Sequence, residues 1–474
     1  MPRPASSLVT PLAARDMAAK MARPDFHRWA ARTRALGGCL QPIHLKGRVD
    51  YLDPATGELL HRYTTTSEPG GTLRVACKTR RASRCPACAE VYRADTYHLV
   101  KAGLVGGKGV PATVAAHPAA FVTLTAPSFG PVHARRTTPG GNVRPCRPRR
   151  NTTTCPHGRS LSCTARHAPD DPRLGEPLCP DCYDHHGTVL FNALAPELWR
   201  RFTLALRRRL AKTAGTTVAA LGEVLTVSFA KVAEYQRRGT VHFHAIIRLD
   251  GPGGPATTPP GWATYEALAE AVEQAVRAVT VTTPATESIP ARVLAWGDQL
   301  DIRPITTTGE LTDTAVAGYI AKYATKAAEC TGTLDRRIRP TDDLDALPVS
   351  DHARRLIAAC LHLGALPEMA GLRLAEWAHM LGFRGHFTTK SRHYSTTLAR
   401  LRAARIRHNQ QHQQITTGRL PLTEEDRVLV IAHWRYAGRG LTPGEALLTA
   451  ALTGTPLPPL NPLTAAERSR LWSH

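Results

Sequence analysis

Near the middle of the chain, two segments of alternating apolar and polar positions flank a four-residue polar break. Leu225 to Tyr235 reads LTVSFAKVAEY, QRRG follows, and Thr240 to Leu249 reads TVHFHAIIRL. Period-two alternation predicts strands, and a short polar connection ending in glycine predicts a β-hairpin. With Arg237, Arg238 and Gly239 as a three-residue loop and Gly239 left-handed, Gln236 faces Thr240 and Glu234 lies opposite His242. A loop of even length turns Glu234 to the other face. FVTLTAPS, from Phe121, predicts a further strand, and so does LDIRPI, Leu300 to Ile305. Trp199, Phe202, Leu206 and Leu210 recur at helical spacing, with Arg200, Arg201 and Arg207 to Arg209 on the outer side. GYIAKYATKAAE, Gly318 to Glu329, predicts a helix with Tyr319, Lys322, Tyr323 and Lys326 on one broad face. GPGGPATTPPGW, Gly251 to Trp262, predicts a flexible loop.

Chemistry enters with the second strand. His242 and His244 are two apart, so both imidazoles leave an extended chain on one face. Histidine is half apolar and packs acceptably in a core, and isolated His-x-His triplets are common. A carboxylate delivered to the same side by the hairpin changes that picture. Two neutral imidazoles and Glu234 form an open divalent-metal site with room for substrate oxygens. The mixed ligand set suits Mn2+ or Mg2+ and leaves Zn2+ open. Tyrosines four apart usually pack in cores, but the interleaved lysines make a fully buried face awkward for Tyr319 and Tyr323.

The 474 residues carry a formal charge of +23, which makes nucleic acid the first partner to consider. A coding bias toward arginine and alanine accounts for part of the surplus, but not for local blocks that lack acids. Trp377 to Thr423 contains no Asp or Glu and holds Arg384, Lys390, Arg392, Arg400, Arg402, Arg405, Arg407 and Arg419. Arg135 to Arg150 holds Arg135, Arg136, Arg144, Arg147, Arg149 and Arg150, again without an acid. Such patches bind phosphate backbones by releasing counterions. Arg384, Lys390 and Arg392 are the candidate DNA contacts of the longer block, joined by Lys326 from the helix.

MPRPASSLVTPLAARDMAAK lacks the apolar core of a secretory signal, and no apolar run reaches membrane-spanning length. A cytoplasmic protein without a membrane partner is expected. In that reducing setting the eleven cysteines read as metal ligands before disulfides. Cys39, Cys77, Cys85 and Cys88 make one set; Cys155, Cys163, Cys179 and Cys182 make a second. Each fits a closed tetrahedral site, giving two structural Zn2+, with Cys146 and His157 as substitute ligands in the second. Cys330 and Cys360 stand alone and fit small core hydrophobes.

His-hydrophobic-His on a strand, followed by Y-x-x-K-Y-x-x-K on a helix, resembles the HUH endonucleases of rolling-circle replication. FVTLTAPSFG (Phe121 to Gly130), EYQRRGTVHFHAIIRLDG (Glu234 to Gly251) and YIAKYATK (Tyr319 to Lys326) resemble, more narrowly, the actinobacterial RepSA-type initiators of plasmids and integrative conjugative elements. CPHGRSLSC with LCPDCYDH, and RGHFTTKSRHYS, add to a likeness running from about Cys39 to Ser395. The resemblance implies an α+β fold. Its parts are an HUH domain with a central antiparallel sheet and flanking helices, zinc-bound cysteine modules and a helical, basic C-terminal region. It implies metal binding by His242, His244 and Glu234, nucleophilic attack by Tyr323 and a second-tyrosine role for Tyr319. Lys322 and Lys326 then add positive charge beside phosphate or depress the tyrosine pKa. Some initiators carry glutamate where Tyr319 stands; this chain departs from them there.

The expected layout is residues 1–115 for a variable N-terminus and first zinc site, and 116–330 for the nicking domain with a zinc-binding insertion at about 139–190. Residues 331–474 form a helical, basic DNA-binding or accessory region. The expected activity is metal-dependent, site-specific nicking and joining of one DNA strand at a plasmid or mobile-element origin. It runs through a phosphotyrosine and frees a 3′-hydroxyl that starts rolling-circle replication. Expected partners are single-stranded and duplex origin DNA, with a host helicase and polymerase. Conjugative relaxases and transposases use the same chemistry. The commonest relaxases add a third histidine and place their tyrosine near the N-terminus, and this chain has neither. A non-catalytic, zinc-containing DNA-binding protein is the alternative of a different class.

Overall fold

The computed structural model describes residues 11–149, 154–287, 289–306, 312–325, 333–334, 336–339, 341–417 and 428–456, without the side chains of 409–417. Helices α1 (Pro11–Met21) and α2 (Phe26–Ala35) precede strands β1 (Ile43–Leu52), β2 (Leu59–Thr64), β3 (Leu73–Val75) and helix α3 (Pro86–Val105). Next come β4 (Ala119–Leu124), the short β5 (Arg136–Thr137) and β6 (Val143–Arg144), and the long α4 (His185–Thr213). The hairpin β7 (Thr226–Tyr235) and β8 (Val241–Asp250) leads to α5 (Tyr265–Ala278), β9 (Thr280–Thr282), β10 (Val293–Ala295) and β11 (Leu300–Pro304). Then follow α6 (Asp313–Ala324), α7 (Asp351–Gly364), β12 (Thr388–Lys390), α8 (Leu398–Thr417), β13 (Leu429–Arg439) and α9 (Pro443–Thr453). None of the described helices is long and apolar enough to cross a membrane.

This mixed α+β chain divides into two compact units, one of Met1–Asp95 with Ala399–His474, the other Thr96–Leu398. Those lines differ from the expected boundaries at 115 and 330, and strand pairing is the reason. The C-terminal third is not a separate helical region. β13 pairs antiparallel along all of β1, from Ile43↔Arg439 to Leu52↔Leu429, while β12 closes an edge of β7. In the first unit the buried Glu445 carboxylate gathers Lys20 at 2.7 Å and Arg74 at 2.9 Å.

The second unit is built on a sheet in the order β11–β4–β8–β7–β12, every neighbouring pair antiparallel. Alternation along β8 sends Val241, Phe243, Ala245, Ile247 and Leu249 to one face, all buried. Against that face lie Leu198, Phe202, Leu206 and Leu210 of α4 and Leu268, Val272 and Val276 of α5, in one continuous core. Thr264 caps α5 by accepting the Ala267 N–H, and Asp184 caps α4 through Gly187. Each large apolar side chain so buried contributes about 1.5–3 kcal/mol. The core therefore fixes which way β8 faces, because a one-residue slip would send its polar residues into α4. The opposite face of β8 carries His242, His244, Arg248 and Asp250.

Candidate active site

The hairpin sets the geometry. Glu234 pairs with His242 and Tyr235 with Val241, as a three-residue loop requires. Gln236 N–H donates to the Thr240 carbonyl at 2.8 Å, and Gly239 N–H to the Gln236 carbonyl at 2.9 Å. Gly239 has φ +81°, and a Cβ there would meet Leu356 Cδ1 at 2.5 Å, so both backbone and space demand glycine. The loop is braced from below. Asn192 donates to the Gly239 carbonyl at 2.8 Å and accepts from the Val241 N–H at 2.9 Å. Arg238 donates to the carbonyls of Pro127 and Ala126 at 2.9 and 3.0 Å.

On the face away from α4, three donor atoms converge. Glu234 Oε2 lies 3.0 Å from His242 Nε2 and 3.2 Å from His244 Nε2. The His244 ring is held from β4, where Thr123 Oγ1 sits 3.0 Å from its Nδ1 and Phe121 stacks on it at 5.7 Å and 5°. A metal-ligating tautomer would donate Nδ1–H to Thr123 and turn the Nε2 lone pair toward the shared site in place of its hydrogen bond to Glu234. Burial raises the Glu234 carboxyl pKa, but hydrogen bonds from His242 and His244 outweigh this and bring it to about 2. Burial lowers the His244 pKa. An ionised carboxylate and a neutral imidazole are the forms that ligate a cation.

Helix α6 covers this cluster. Its N-cap, Thr312, accepts the Ala315 N–H. Tyr319 OH lies 3.1 Å from His244 Nε2, and its ring meets Phe121 edge-on at 5.7 Å. Tyr323 follows one turn on, its ring 4.6 Å from that of Tyr319 and 6.2 Å from His244. Burial first, then the Glu234 charge, pushes the Tyr319 phenol well above its ordinary range. Lys322 is exposed and its ammonium lies 5.5 Å from the Tyr323 ring centroid. Lys326 lies outside the described residues.

The other basic candidates lie elsewhere in the unit. Arg384 and Arg392 are exposed, and Arg384 donates to the Gly371 carbonyl at 3.1 Å. The Lys390 ammonium is engaged by the carbonyls of Ser395 at 2.9 Å and Ser391 at 3.3 Å. Its segment acts as an edge strand, Lys390 pairing with Ala230. In the longer block, Arg402 and Arg405 turn to Asp95. Sequence reading missed Asp301, which pairs with Thr123 while Thr123 pairs with His244, so all three share the site face. The alternation of LDIRPI carried that signal.

The cysteines form ligand sets that differ in part from those expected. Cys39, Cys77, Cys85 and Cys88 do gather, their donor atoms within 4.8 Å of one another. Cys155, Cys179 and Cys182 gather with His157 rather than with Cys163. His157 Nδ1 lies 3.2 Å from Cys182 Sγ and 3.7 Å from Cys179 Sγ. Cys163 is drawn away because its backbone pairs with Arg147, at 2.8 and 3.0 Å, which brings it beside Cys146. The C-P-H triplet, with histidine two after Cys155, was the available signal. Cys360 is fully buried in α7, and Cys330 lies outside the described residues.

Comparison with known proteins assigns the chain to a family. Residues 25–454 match the family described as RepSA, replication initiator protein, pSAM2. A replication initiator protein of Streptomyces ambofaciens is 51% identical over 456 residues, covering 94% of each chain. No solved structure matches. The match spans both units and the whole of the His–Glu–Tyr cluster, and on it the chain belongs to the RepSA family of replication initiator proteins.

Proposed function

We propose that this chain starts rolling-circle replication by nicking one strand at its element's origin and holding the 5′ end on a tyrosine. One observation carries the reading. Glu234 Oε2 lies 3.0 and 3.2 Å from two imidazole nitrogens, and a tyrosine hydroxyl lies 3.1 Å from one of them. The antiparallel sheet bearing that cluster under a tyrosine helix supports the HUH assignment.

Glu234, His242 and His244 would hold Mn2+ or Mg2+: one carboxylate oxygen and two imidazole nitrogens already meet, leaving the remaining positions to substrate oxygens. When bound, the ion polarises the nonbridging oxygens of the scissile phosphate and offsets their developing charge. The Tyr323 oxygen, after losing its proton to solvent, attacks phosphorus in line. The bond to the 3′-oxygen breaks, that oxygen takes up a proton, and a 5′-phosphotyrosine and a free 3′-hydroxyl result. Lys322 places a positive charge beside the attacking phenolate. Tyr319, one turn away, performs the second cleavage that closes the circle. The 3′-hydroxyl is then extended by a host polymerase behind a helicase. The sets at Cys39 and Cys155 hold structural zinc that ties down loop-rich segments.

The test is cleavage of single-stranded origin oligonucleotides by the full chain. Cleavage should require Mn2+ or Mg2+ and should stop with EDTA. Tight origin binding without any cleavage in either metal would overturn the proposal in favour of a recruiting role.

A further inference from the structure

The segment between β4 and α4 contains a ligand set beyond the two expected zinc sites. His133, Cys146, Cys163 and His167 each place a donor atom within 4.8 Å of the other three. His133 Nδ1 lies 3.3 Å from His167 Nε2, and Cys163 Sγ 3.6 Å from the same nitrogen. A tetrahedron with zinc–nitrogen bonds of about 2.05 Å and zinc–sulfur bonds of about 2.3 Å has edges of about 3.3 and 3.6 Å. The two edges at His167 therefore match those of a tetrahedral zinc site.

The surroundings are those of a ligand shell. His167 Nδ1 donates to Asp171 at 2.7 Å, which is also paired with Arg173 at 2.9 Å. That fixes the tautomer and aims the His167 Nε2 lone pair into the cluster. Cys146 Sγ accepts the Ala134 N–H at 3.2 Å, which suits a thiolate. His167 is 1% exposed and Cys146 3%.

The same module borders the metal hairpin. Arg237 donates to the Pro169 carbonyl at 2.7 Å. Gly175, at φ +93°, lies so close that a Cβ would meet the Arg237 carbonyl carbon at 2.4 Å. Between module and sheet opens a cleft of about 830 Å³, lined among others by Arg135, Arg147, Gln236, Arg237, Trp296 and Gln299. It lies at the end of the sheet nearest the metal centre, since Gln236 is two positions beyond Glu234. Arg135 and Arg147 follow ligands His133 and Cys146 by two positions and one, and both are exposed.

We propose that His133, Cys146, Cys163 and His167 hold a third zinc ion, which fixes Arg135 and Arg147 as one wall of a cleft for the single-stranded DNA flanking the scissile phosphate. The occupant of the cleft rests on the nicking reading; the zinc does not.

Native mass spectrometry of the purified full chain tests the ion first. Three zinc ions per chain are expected, and two in Cys163→Ser. Two in the unaltered chain, or three in Cys163→Ser, overturns the site. Because Cys163→Ser can also disturb folding, Asp171→Asn keeps all four ligands and removes only the support of His167. It should release one zinc of three to a chelator about 10–100-fold faster; unchanged release of all three overturns the site equally. Fluorescence anisotropy with a single-stranded origin oligonucleotide tests the wall. Arg135→Ala with Arg147→Ala should weaken binding at least severalfold at low salt, with three zinc ions retained and a shallower salt dependence. Unchanged affinity overturns the cleft assignment while leaving the metal-dependent nicking reading standing.

Discussion

One face of β8 carries two polar clusters, and they are built oppositely. Toward the C-terminal end, Arg248 and Asp250 are wholly buried. Arg248 Nε and Nη2 hold the two Asp250 oxygens at 2.6 and 2.8 Å, while Ser228 at 2.6 Å and His117 at 2.8 Å complete the carboxylate. The remaining guanidinium hydrogens reach the carbonyls of Gly103 and Tyr394. Both Asp250 oxygens and all three Arg248 nitrogens have protein partners, so the pair is satisfied within the protein. Toward the turn, one oxygen of Glu234 serves both imidazoles, and Glu234 and His242 stay 15% and 14% exposed. Donors there outnumber their mutual partners, and solvent still reaches two of the three side chains. Closed networks hold strands together, whereas converging donors with spare capacity receive something from outside.

Substitutions at the two ends should separate these roles. The largest effect is expected from His244→Ala or His242→Ala. Cleavage of origin oligonucleotides should be abolished, while duplex binding by gel shift stays largely intact, because basic surface rather than the cluster dominates affinity. Wild-type cleavage by either variant would make the histidines core residues. At the other end, Asp250→Asn strands a buried guanidinium and should cost about 3–5 kcal/mol in urea unfolding, with cleavage per folded molecule retained. A loss of cleavage without a loss of stability would erase the distinction. Glu234→Gln should be milder than either histidine change, lowering cleavage about 10–100-fold, since water fills a vacated ligand position.

The smallest effect sharpens the comparison from the sheet's other face. Lys231 is buried with its ammonium 3.8 Å from the Phe243 ring centroid, and burial lowers its pKa to about 7. Between that value and the ordinary lysine range, the unfolded chain binds a proton the folded chain has lost, so stability rises with pH. The slope is at most about 1.4 kcal/mol per unit above pH 7. Urea unfolding at two pH values in that window should show the rise, and Lys231→Met should remove it and stabilise the chain at neutral pH. A pH-independent stability in the unaltered chain would contradict this.

The β7–β8 hairpin was legible because a local rule fixes it. Gly239 sets the loop length, the loop sets the register, and register places Glu234 opposite His242. The α4 stripe was legible for the same reason, since Phe202, Leu206 and Leu210 recur on one helical face. Long-range pairing was not. Nothing in the local pattern of residues 429–439 announces β1 as partner, so the C-terminal region looked separate. The second cysteine set was legible only in part: spacing named Cys155, Cys179 and Cys182, but the Arg147–Cys163 backbone pairing, a tertiary fact, drew Cys163 away and left the fourth place to His157. Asp301 was missed because its neighbour across the sheet is known only once β11 is placed on β4.

In the proposed mechanism the Glu234–His242–His244 cluster positions a tyrosine for attack on phosphorus. The most direct test traps the covalent adduct on a single-stranded origin oligonucleotide with Mn2+ present, then locates the modified peptide by mass. The nucleotide should be found on Tyr323, should be lost in Tyr323→Phe, and should still form in Tyr319→Phe. An adduct confined to Tyr319 would reverse the assigned order of the two tyrosines, and cleavage with an adduct on neither would contradict the mechanism.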